Sequence, residues 1–596
     1  MSNSLFRTKK IANILAEGSD DAHGGGGLKR VLTLKDLTFF GIAAILGAGS
    51  FSSLGGAVFH GGPGVVILFV ITAIACAFTA FCYSEFASRI PVAGSAYTYA
   101  YASFGELFAW IIGWALIMEY SIGNIYVAYS WSDYFTSFLQ KINVHIPEYL
   151  CTSYMEVKHA LAAGSTNAAV LEAWNSAPVI GGLRMIVDLP ALVINVLITA
   201  LVFRGIKESR NFSNVMVILK MIVVVLVILV GGYMVFSNGL TGNWHPANDV
   251  GVQSFMPNGF SGVMAAVSGV FFAYIGFDAV SVLAEESKNP QRDLPRGMIF
   301  SLVICTVVYI LLTLVLTGAV NYRAFEGVGD PLAFIFEKQN LNIGWMQFFV
   351  AIAAVVAMTS VLLVFQMGQP RIWMSMSRDG LLPPVFQKIH PRYKTPSFAT
   401  IITGLVVGVP IIFTDKTFVL DFTSIATLFA FVLVCGGVLI IPKREKEVGK
   451  FHIPFINGQF IFPLLIVVSL STVIFFNGNY IQDLFTLQLT DAEMKIAVAG
   501  LDPTKADVIK TNIDAAQIAK ETLNISTIIF WLLCFAISIL AFVKKYSLIP
   551  LLGLATCLYL LTGMTARNWA WFAGWLLIGL IVYLLYGYRK SKLAVK

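Results

Sequence analysis

Two glycine-bearing stretches lie inside long apolar runs of the sequence, and their backbone is suited to bind a small charged molecule. The first is Gly41–Gly56, which includes Gly47 and Gly49, and the second is Ser268–Asp278, which includes Gly276. Glycine costs about 1 kcal/mol against alanine inside a helix, so these clusters predict helices that unwind. An unwound turn exposes N–H groups that attract a carboxylate and C=O groups that attract an ammonium. An α-amino acid presents both charges.

The depth of the two breaks in the membrane indicates what kind of site they could form. At about 1.5 Å per residue from each helix start, Gly47–Gly49 lie about 16–20 Å deep, and Phe271–Gly276 lie about 18–26 Å deep from the opposite side. Both positions fall near the middle of a bilayer core about 30 Å thick. Paired interrupted helices of this kind mark a transport site between inverted repeats. The alternative is that the glycines only let neighbouring helices cross closely.

The elements that must position these breaks are membrane helices. Hydrophobic residues make up 57% of the 596 positions and charged residues only 12%, whereas a soluble domain carries about 25% charge. Runs such as Val215–Val235, broken by the single Lys220, have the length that a bilayer requires of a helix. Composition therefore predicts an all-α polytopic membrane protein in contact with lipid, and the dispersed positive charge does not indicate nucleic-acid binding.

Hydropathy predicts about fourteen transmembrane helices. They lie near 36–57, 63–85, 97–137, 186–203, 212–236, 259–284, 298–320, 344–370, 397–410, 418–441, 459–476, 526–543, 547–563 and 568–588. The third stretch is too long for one crossing, and Gly94–Phe104 is expected to lie along the interface before the helix proper. The two longest connections, 138–185 and 477–525, have room for short helices.

Lysine and arginine set the predicted orientation. They concentrate in both tails and in the even-numbered connections, such as Arg204–Arg210, Lys443–Lys446 and Lys544–Lys545. The positive-inside rule then places both termini in the cytoplasm and the two longest loops outside. The predicted units are a cytoplasmic tail (1–35), a first five-helix repeat (36–236), an inverted second repeat (259–441), four additional helices (459–588) and a cytoplasmic C-terminal tail (589–596).

Two other classes of protein compete with a transporter. A membrane-embedded enzyme needs a convergent nucleophile or metal set, but all seven histidines fall outside the predicted spans. We therefore expect no catalytic residues, no metal and no cofactor. A receptor or regulatory scaffold that keeps the same fold without transporting remains an open alternative, although the sequence contains no evident soluble signalling domain.

The same stretches carry a family likeness. The matching motifs are Gly47–Gly49, Tyr83–Tyr97, Glu119-Tyr120, Gly205–Ser209, Phe272–Asp278 running into Glu285–Gln291, and Pro370–Leu381. With these motifs the chain resembles the amino acid–polyamine–organocation transporters, most closely the cationic amino acid transporter branch. The resemblance implies a LeuT-like fold, in which two inverted five-helix repeats form the core and four helices are added.

The resemblance also implies where a substrate sits. Its carboxylate would dock on the backbone of Gly47–Gly49, and its amino group would meet carbonyls around Phe271–Tyr274. The substrate-binding residues expected on this basis are Ala44, Gly47, Ala48, Gly49, Ser50, Phe271, Phe272, Ala273 and Tyr274. Ser50 departs from the family, which usually has a hydrophobic residue there, and its hydroxyl would either bond back to the helix or make the pocket rim polar.

Two ionisable residues inside predicted spans are candidates for proton coupling, since such residues are rare and costly in a membrane. Lys220 matches a lysine that replaces sodium between helices one, five and eight in sodium-independent bacterial members of the family. Thr359 and Ser360 are its expected neighbours. Glu119 lies at a similar depth in the third span, either paired with Lys220 or as a structural carboxylate. The expected function is therefore alternating-access, proton-coupled and sodium-independent amino acid transport, in a bacterial inner membrane. Oligomeric state and side-chain preference stay open.

Overall fold

The computed structural model describes residues 5–17, 32–47, 49–92, 94–162, 168–204, 209–247, 251–393, 395–441, 450–489, 494 and 506–594. Several features named above lie outside the described residues: Ala48, Ala93 of the Tyr83–Tyr97 motif, positions 205–208, the basic loop 443–446, and parts of both tails and of the connection 477–525.

Helices dominate the described chain up to residue 237. In order they are α1 (Ile11–Glu17), α2 (Leu34–Ile45), α3 (Leu54–Gly61), α4 (Val65–Arg89), α5 (Ala96–Ser103), α6 (Glu106–Lys141), α7 (Tyr154–Ala162), α8 (Ala168–Ser176), α9 (Leu189–Arg204) and α10 (Ser209–Ser237). A π-helical turn, Gly49–Ser53, precedes α3. Between α8 and α9 a small antiparallel hairpin pairs β1 (Val179–Ile180) with β2 (Leu183–Arg184).

The second part of the described chain is also helical. Its helices are α11 (Gly259–Ala265), α12 (Val267–Tyr274), α13 (Pro290–Ala319), α14 (Pro331–Phe334), α15 (Gly344–Arg378), α16 (Ser397–Phe413), α17 (Lys416–Ile440), α18 (Gly458–Phe476), α19 (Tyr480–Phe485), α20 (Ala506–Lys544), α21 (Leu548–Leu561), α22 (Ala566–Val582) and α23 (Tyr588–Lys590). A 3-10 helix, Asp278–Glu286, lies between α12 and α13.

Ten stretches of the described chain are long and apolar enough to cross a membrane. They are Leu34–Arg89, Glu106–Gln140, Asn214–Ser237, Val267–Ala284, Pro290–Ala319, Gly344–Arg378, Phe418–Ile440, Gly458–Phe476, Ile513–Lys544 and Ala566–Lys590. The first covers two predicted spans, and three more predicted spans correspond to the shorter apolar helices α9, α16 and α21. The protein is an all-α polytopic membrane protein, with outward faces that expose large apolar side chains such as Val215, Leu464 and Ile539.

Two glycines explain why the long third stretch is divided. Gly94 has φ 119° and Gly105 has φ 99°, a region that side chains with a Cβ rarely adopt. The short helix α5 lies between them, and α6 starts immediately after Gly105. The backbone of Gly105 also packs against Phe6, where a Cβ would come within 2.7 Å of the Phe6 carbonyl carbon. The sequence-based division before the third helix is therefore confirmed.

The long connections do contain short elements. Residues 138–185 hold the end of α6, the helices α7 and α8, and the hairpin. Near the C-terminus the predicted bounds were too narrow, because α20 begins at Ala506 rather than near residue 526. Residues 506–525 include four alanines, two lysines, one glutamine and one glutamate, which are strong helix formers in water. The apolar segment therefore continues as one helix into a polar extension that hydropathy alone does not detect.

The packing places the two interrupted helices in the centre. The long helix α6 packs against α15 and α17, and α13 packs against α2 and α4. Of the C-terminal helices, α18 and α20 pack on each other, while α21 joins them to α4 and α17. The interrupted segments Leu34–Gly61 and Gly259–Glu286 thus pack against each other and against α4, α10, α13, α15 and α17.

Candidate functional site

The first predicted break is present in the structure. Helix α2 ends at Ile45, and regular hydrogen bonding resumes only in the π-helical turn that starts at Gly49. Serine hydroxyls complete the local hydrogen bonding: Ser50 Oγ donates to the Gly47 carbonyl (3.0 Å) and Ser53 Oγ donates to the Gly49 carbonyl (2.8 Å). Both serines are buried. The hydroxyl that distinguishes Ser50 therefore bonds back to the chain, which is the first of the two expected roles.

The second predicted break follows Tyr274. Ile275 has extended backbone angles and Gly276 has φ 115°, so α12 stops and the chain continues as the 3-10 helix Asp278–Glu286. Because Gly276 has no Cβ, it adopts this left-handed conformation at little cost. The break releases the last carbonyls of α12 from the helical ladder.

The two breaks contact each other through reciprocal glycines. A Cβ built on Gly49 would lie 2.5 Å from the Cα of Ala273, and one built on Gly276 would lie 2.7 Å from the Cβ of Ala44. Real Cβ atoms do not come so close, so a glycine of each break is required by the helix of the other. The structure thus brings together both of the stretches that the sequence singles out.

One tyrosine connects the released carbonyls. The hydroxyl of Tyr309, on α13, lies 2.7 Å from the carbonyl oxygen of Ile45 and 2.7 Å from that of Ala273. Tyr309 is fully buried. A phenol has one proton, so a single donor is shared between two acceptors, one from each break.

Lys220 lies behind the first break, fully buried on α10. Its Nζ donates to the carbonyl oxygens of Ala43 (2.9 Å) and Leu46 (2.6 Å) and reaches the hydroxyl of Ser360 (3.4 Å). The expected neighbour Ser360 is therefore in contact. The hydroxyl of Thr359 instead donates to the Val355 carbonyl (2.7 Å) and accepts from Trp131 Nε1 (2.9 Å).

Glu119 is buried elsewhere in the bundle. It lies on α6 and its side chain is almost fully enclosed. Glu119 Oε2 makes no hydrogen bond to any residue of the described chain. Among these residues it forms no ion pair with Lys220, whose polar contacts are those given above.

A cavity lies where the two breaks meet. Its lining residues are Ala44, Ile45, Gly49, Val127, Phe272, Ile275, Val361 and Phe365. The space open to the centre of a water molecule is only about 10 Å³, roughly what one water needs. The observed conformation is therefore closed around its centre, and an amino acid requires the lining helices to separate.

Five other predicted binding residues of the described chain do not line this cavity: Gly47, Ser50, Phe271, Ala273 and Tyr274. Phe271 packs against Phe431, with ring centroids 5.8 Å apart, and the Tyr274 hydroxyl donates to the Phe69 carbonyl (3.1 Å). Ala273 packs directly against the backbone of Gly49. Sequence reasoning missed the lining residues Ile45, Val127, Ile275, Val361 and Phe365. The one available signal was that Val361 and Phe365 are four positions apart, on one face of a helix.

Interrupted helices that meet at an enclosed cavity within a membrane bundle define a transporter rather than an enzyme. Sequence comparison gives the family: the amino acid permease family matches residues 32–490, and the family of amino acid permease C-termini matches residues 546–591. The chain therefore belongs to the amino acid permeases, which are part of the amino acid–polyamine–organocation superfamily.

Individual relatives agree with this assignment. The branched-chain amino acid permease of Bacillus subtilis is 40% identical over 478 residues, which cover 79% of this chain and 94% of that protein. The methylthioribose transporter of Bacillus subtilis is 38% identical over 479 residues, covering 80% and 92%. Vacuolar cationic amino acid transporter 2 of Arabidopsis thaliana is 31% identical over 638 aligned positions, covering 99% and 93%.

Proposed function

We propose that this permease carries amino acids across a bacterial inner membrane by alternating access, coupled to protons and independent of sodium. The observation that supports this most directly is the reciprocal contact of the two breaks, Gly49 on Ala273 and Gly276 on Ala44, beside a closed cavity. Helices that unwind at the same place supply backbone donors and acceptors to one ligand. The basic inner loops support a cytoplasmic location of both termini.

The charged ends of an amino acid have separate partners in this proposal. The N–H groups around Gly47–Gly49 receive the carboxylate, and the carbonyls at the end of α12 receive the ammonium. In the closed state the Tyr309 hydroxyl is the donor to the Ala273 carbonyl. An ammonium carries three donors and a phenol only one, so a bound substrate satisfies these carbonyls better than Tyr309 alone.

Lys220 is the proposed carrier of the coupling proton. A charged ammonium has three donors, and the three acceptors around it are two carbonyls next to the first break and Ser360. Loss of the proton removes one donor and the positive charge, which weakens the hydrogen bonds from Lys220 to the carbonyls at the end of α2. Protonation therefore favours the state in which α2 is fixed, and deprotonation favours its movement.

Uptake by purified protein in liposomes tests the proposal. Labelled alanine and arginine are offered with and without an inward proton gradient, in sodium and in sodium-free buffer. We expect uptake of at least one amino acid that rises with the proton gradient and is the same in both buffers. An uptake rate that is the same with and without the proton gradient contradicts proton coupling. Binding of amino acids without any uptake by folded protein favours the receptor or scaffold alternative.

A further inference from the structure

The side chains that line the cavity at the meeting point of the two breaks are all apolar. All eight of its lining residues carry an aliphatic side chain, an aromatic side chain or none. The relatives are named for branched-chain amino acids, for methylthioribose and for cationic amino acids, so their names do not decide which side chain this site accepts. The residues that line the cavity provide independent evidence about which substrate side chain it accepts.

The lining divides into two walls of different chemistry. Ala44, Ile45, Gly49 and Ile275 lie at or beside the breaks, whose released backbone groups are the ones that a substrate's carboxylate and ammonium need. The facing wall consists of Val127 on α6 together with Val361 and Phe365 on α15. Phe272 closes the space between them, with its ring 4.6 Å from that of Tyr126. A substrate whose charged ends meet the breaks therefore directs its side chain towards branched aliphatic and aromatic groups.

Among the described residues, this wall offers no acidic side chain to a second positive charge on the substrate. Neither Glu119 nor Asp278 lines the cavity. Phe365 lines it and packs edge-on against Tyr120, the residue next to Glu119, with centroids 5.6 Å apart. The nearby ionisable group behind the first break is itself an amine, Lys220. An unpaired buried charge is strongly unfavourable, so lysine and arginine are disfavoured as substrates.

We infer that the permease selects neutral amino acids with aliphatic side chains, such as leucine, isoleucine and valine, over lysine and arginine. The inference rests on the proposed transport function and adds the class of side chain. Contact with Val127, Val361 and Phe365 favours an aliphatic side chain, because moving apolar surface out of water is favourable. A charged side chain in the same place loses its hydration without compensation.

Counterflow competition tests the selection. Liposomes that contain the purified protein are loaded with unlabelled leucine, and entry of labelled leucine is measured against external leucine, isoleucine, valine, serine, lysine and arginine. We expect the aliphatic amino acids to compete at concentrations roughly a hundredfold or more below those of lysine and arginine. Competition by arginine or lysine within tenfold of leucine overturns the inference but leaves the transport function standing. Counterflow of labelled arginine in arginine-loaded liposomes, without counterflow of leucine, also overturns the inference. Absence of both, in folded protein, defeats the transport function instead.

A matched pair of variants localises the effect. Val361 and Val364 are both buried on α15, but only Val361 lines the cavity. Val361→Thr exchanges a methyl group for a hydroxyl of similar size, so we expect the preference for leucine over serine to fall about tenfold. Val364→Thr is expected to keep the wild-type preference. Equal preferences in the two variants contradict the assignment of the wall, and the wild-type competition series decides the selection even where Val361→Thr is unstable.

Discussion

The Cα of Ala273 lies 2.5 Å from the position that a Cβ on Gly49 would occupy, so the two interrupted helices touch at a distance that glycine alone permits. Alanine at position 49 must push backbone away from backbone, and overpacking of this kind costs about 1–3 kcal/mol. We expect Gly49→Ala to reduce amino acid uptake at least about tenfold, measured in liposomes alongside the melting temperature.

Gly56 provides the control for this substitution. It lies seven residues further along, in α3, and no atom of the described residues comes within 4 Å of the position of its Cβ, apart from its chain neighbours and its own helix backbone. Gly56→Ala is therefore expected to transport like the wild type. Wild-type uptake in Gly49→Ala, or the same loss in both variants, contradicts the role of the contact between the breaks.

Removal of the Tyr309 hydroxyl tests whether the shared hydrogen bond aligns the two breaks. In Tyr309→Phe the carbonyls of Ile45 and Ala273 lose a buried donor, which costs about 1–3 kcal/mol of stability. We expect the apparent KM for amino acid uptake to rise several-fold, because these carbonyls lie next to the cavity. Uptake kinetics and thermal melts are measured on the same preparations.

Tyr129→Phe is the matched control for Tyr309→Phe. The Tyr129 hydroxyl also lies between two carbonyls, those of Ile411 (2.7 Å) and Thr414 (2.8 Å), but neither belongs to a break. Both variants are expected to lose similar thermal stability, whereas only Tyr309→Phe raises KM. Equal changes of KM would mean that the hydroxyl of Tyr309 contributes stability and nothing more.

Lys220→Ala tests proton coupling. The substitution removes the donor to the Ala43 and Leu46 carbonyls, and with it the proposed carrier of the coupling proton. We expect uptake to become insensitive to an inward proton gradient, while counterflow of amino acid continues at a reduced rate. Lys338→Ala, at an exposed position, is expected to keep the gradient response. A Lys220→Ala protein that responds to the gradient like the wild type refutes the coupling role.

The breaks were predictable from the sequence because they depend on local chemistry. Glycines that favour unwinding and serines that bond back to the chain act within a few residues, so Gly47, Gly49 and Gly276 identify their own neighbourhoods. The division at Gly105 was predictable for the same reason. The start of α20 was not, because its first turns are stabilised by helix propensity in polar sequence rather than by hydrophobic length.

The walls of the cavity depend on how distant helices are rotated against each other. Val127 and Phe365 are ordinary apolar residues in apolar helices, and only the packing of α6 on α15 makes them face the breaks. Adjacent residues of a helix point about 100° apart, so Thr359 and Ser360 do not both face Lys220; Ser360 does, and Thr359 contacts Trp131. The sequence shows which residues share one face of a helix, but it does not show which neighbouring helix that face contacts.

The N-terminal segment is tied to the end of α15 by an ion pair. Lys9 Nζ lies 2.6 Å from Asp379 Oδ1, and the Tyr97 hydroxyl donates to Asp379 Oδ2, also at 2.6 Å. The same segment accepts backbone hydrogen bonds at the start of α6, from Glu106 N to the Arg7 carbonyl and from Leu107 N to the Leu5 carbonyl. These bonds join the N-terminal segment to both α6 and the end of α15.

Lys9→Gln is expected to loosen the N-terminal segment. A largely buried hydrogen bond between charged groups contributes about 1.5–3 kcal/mol, so hydrogen exchange at the amides of Glu106 and Leu107 should accelerate about tenfold or more. The neighbouring Lys10 is exposed, and Lys10→Gln should leave both amides protected. Exchange is measured by mass spectrometry on detergent-solubilised protein. Equal exchange in the two variants would show that the backbone bonds hold the segment without help from the Lys9–Asp379 pair.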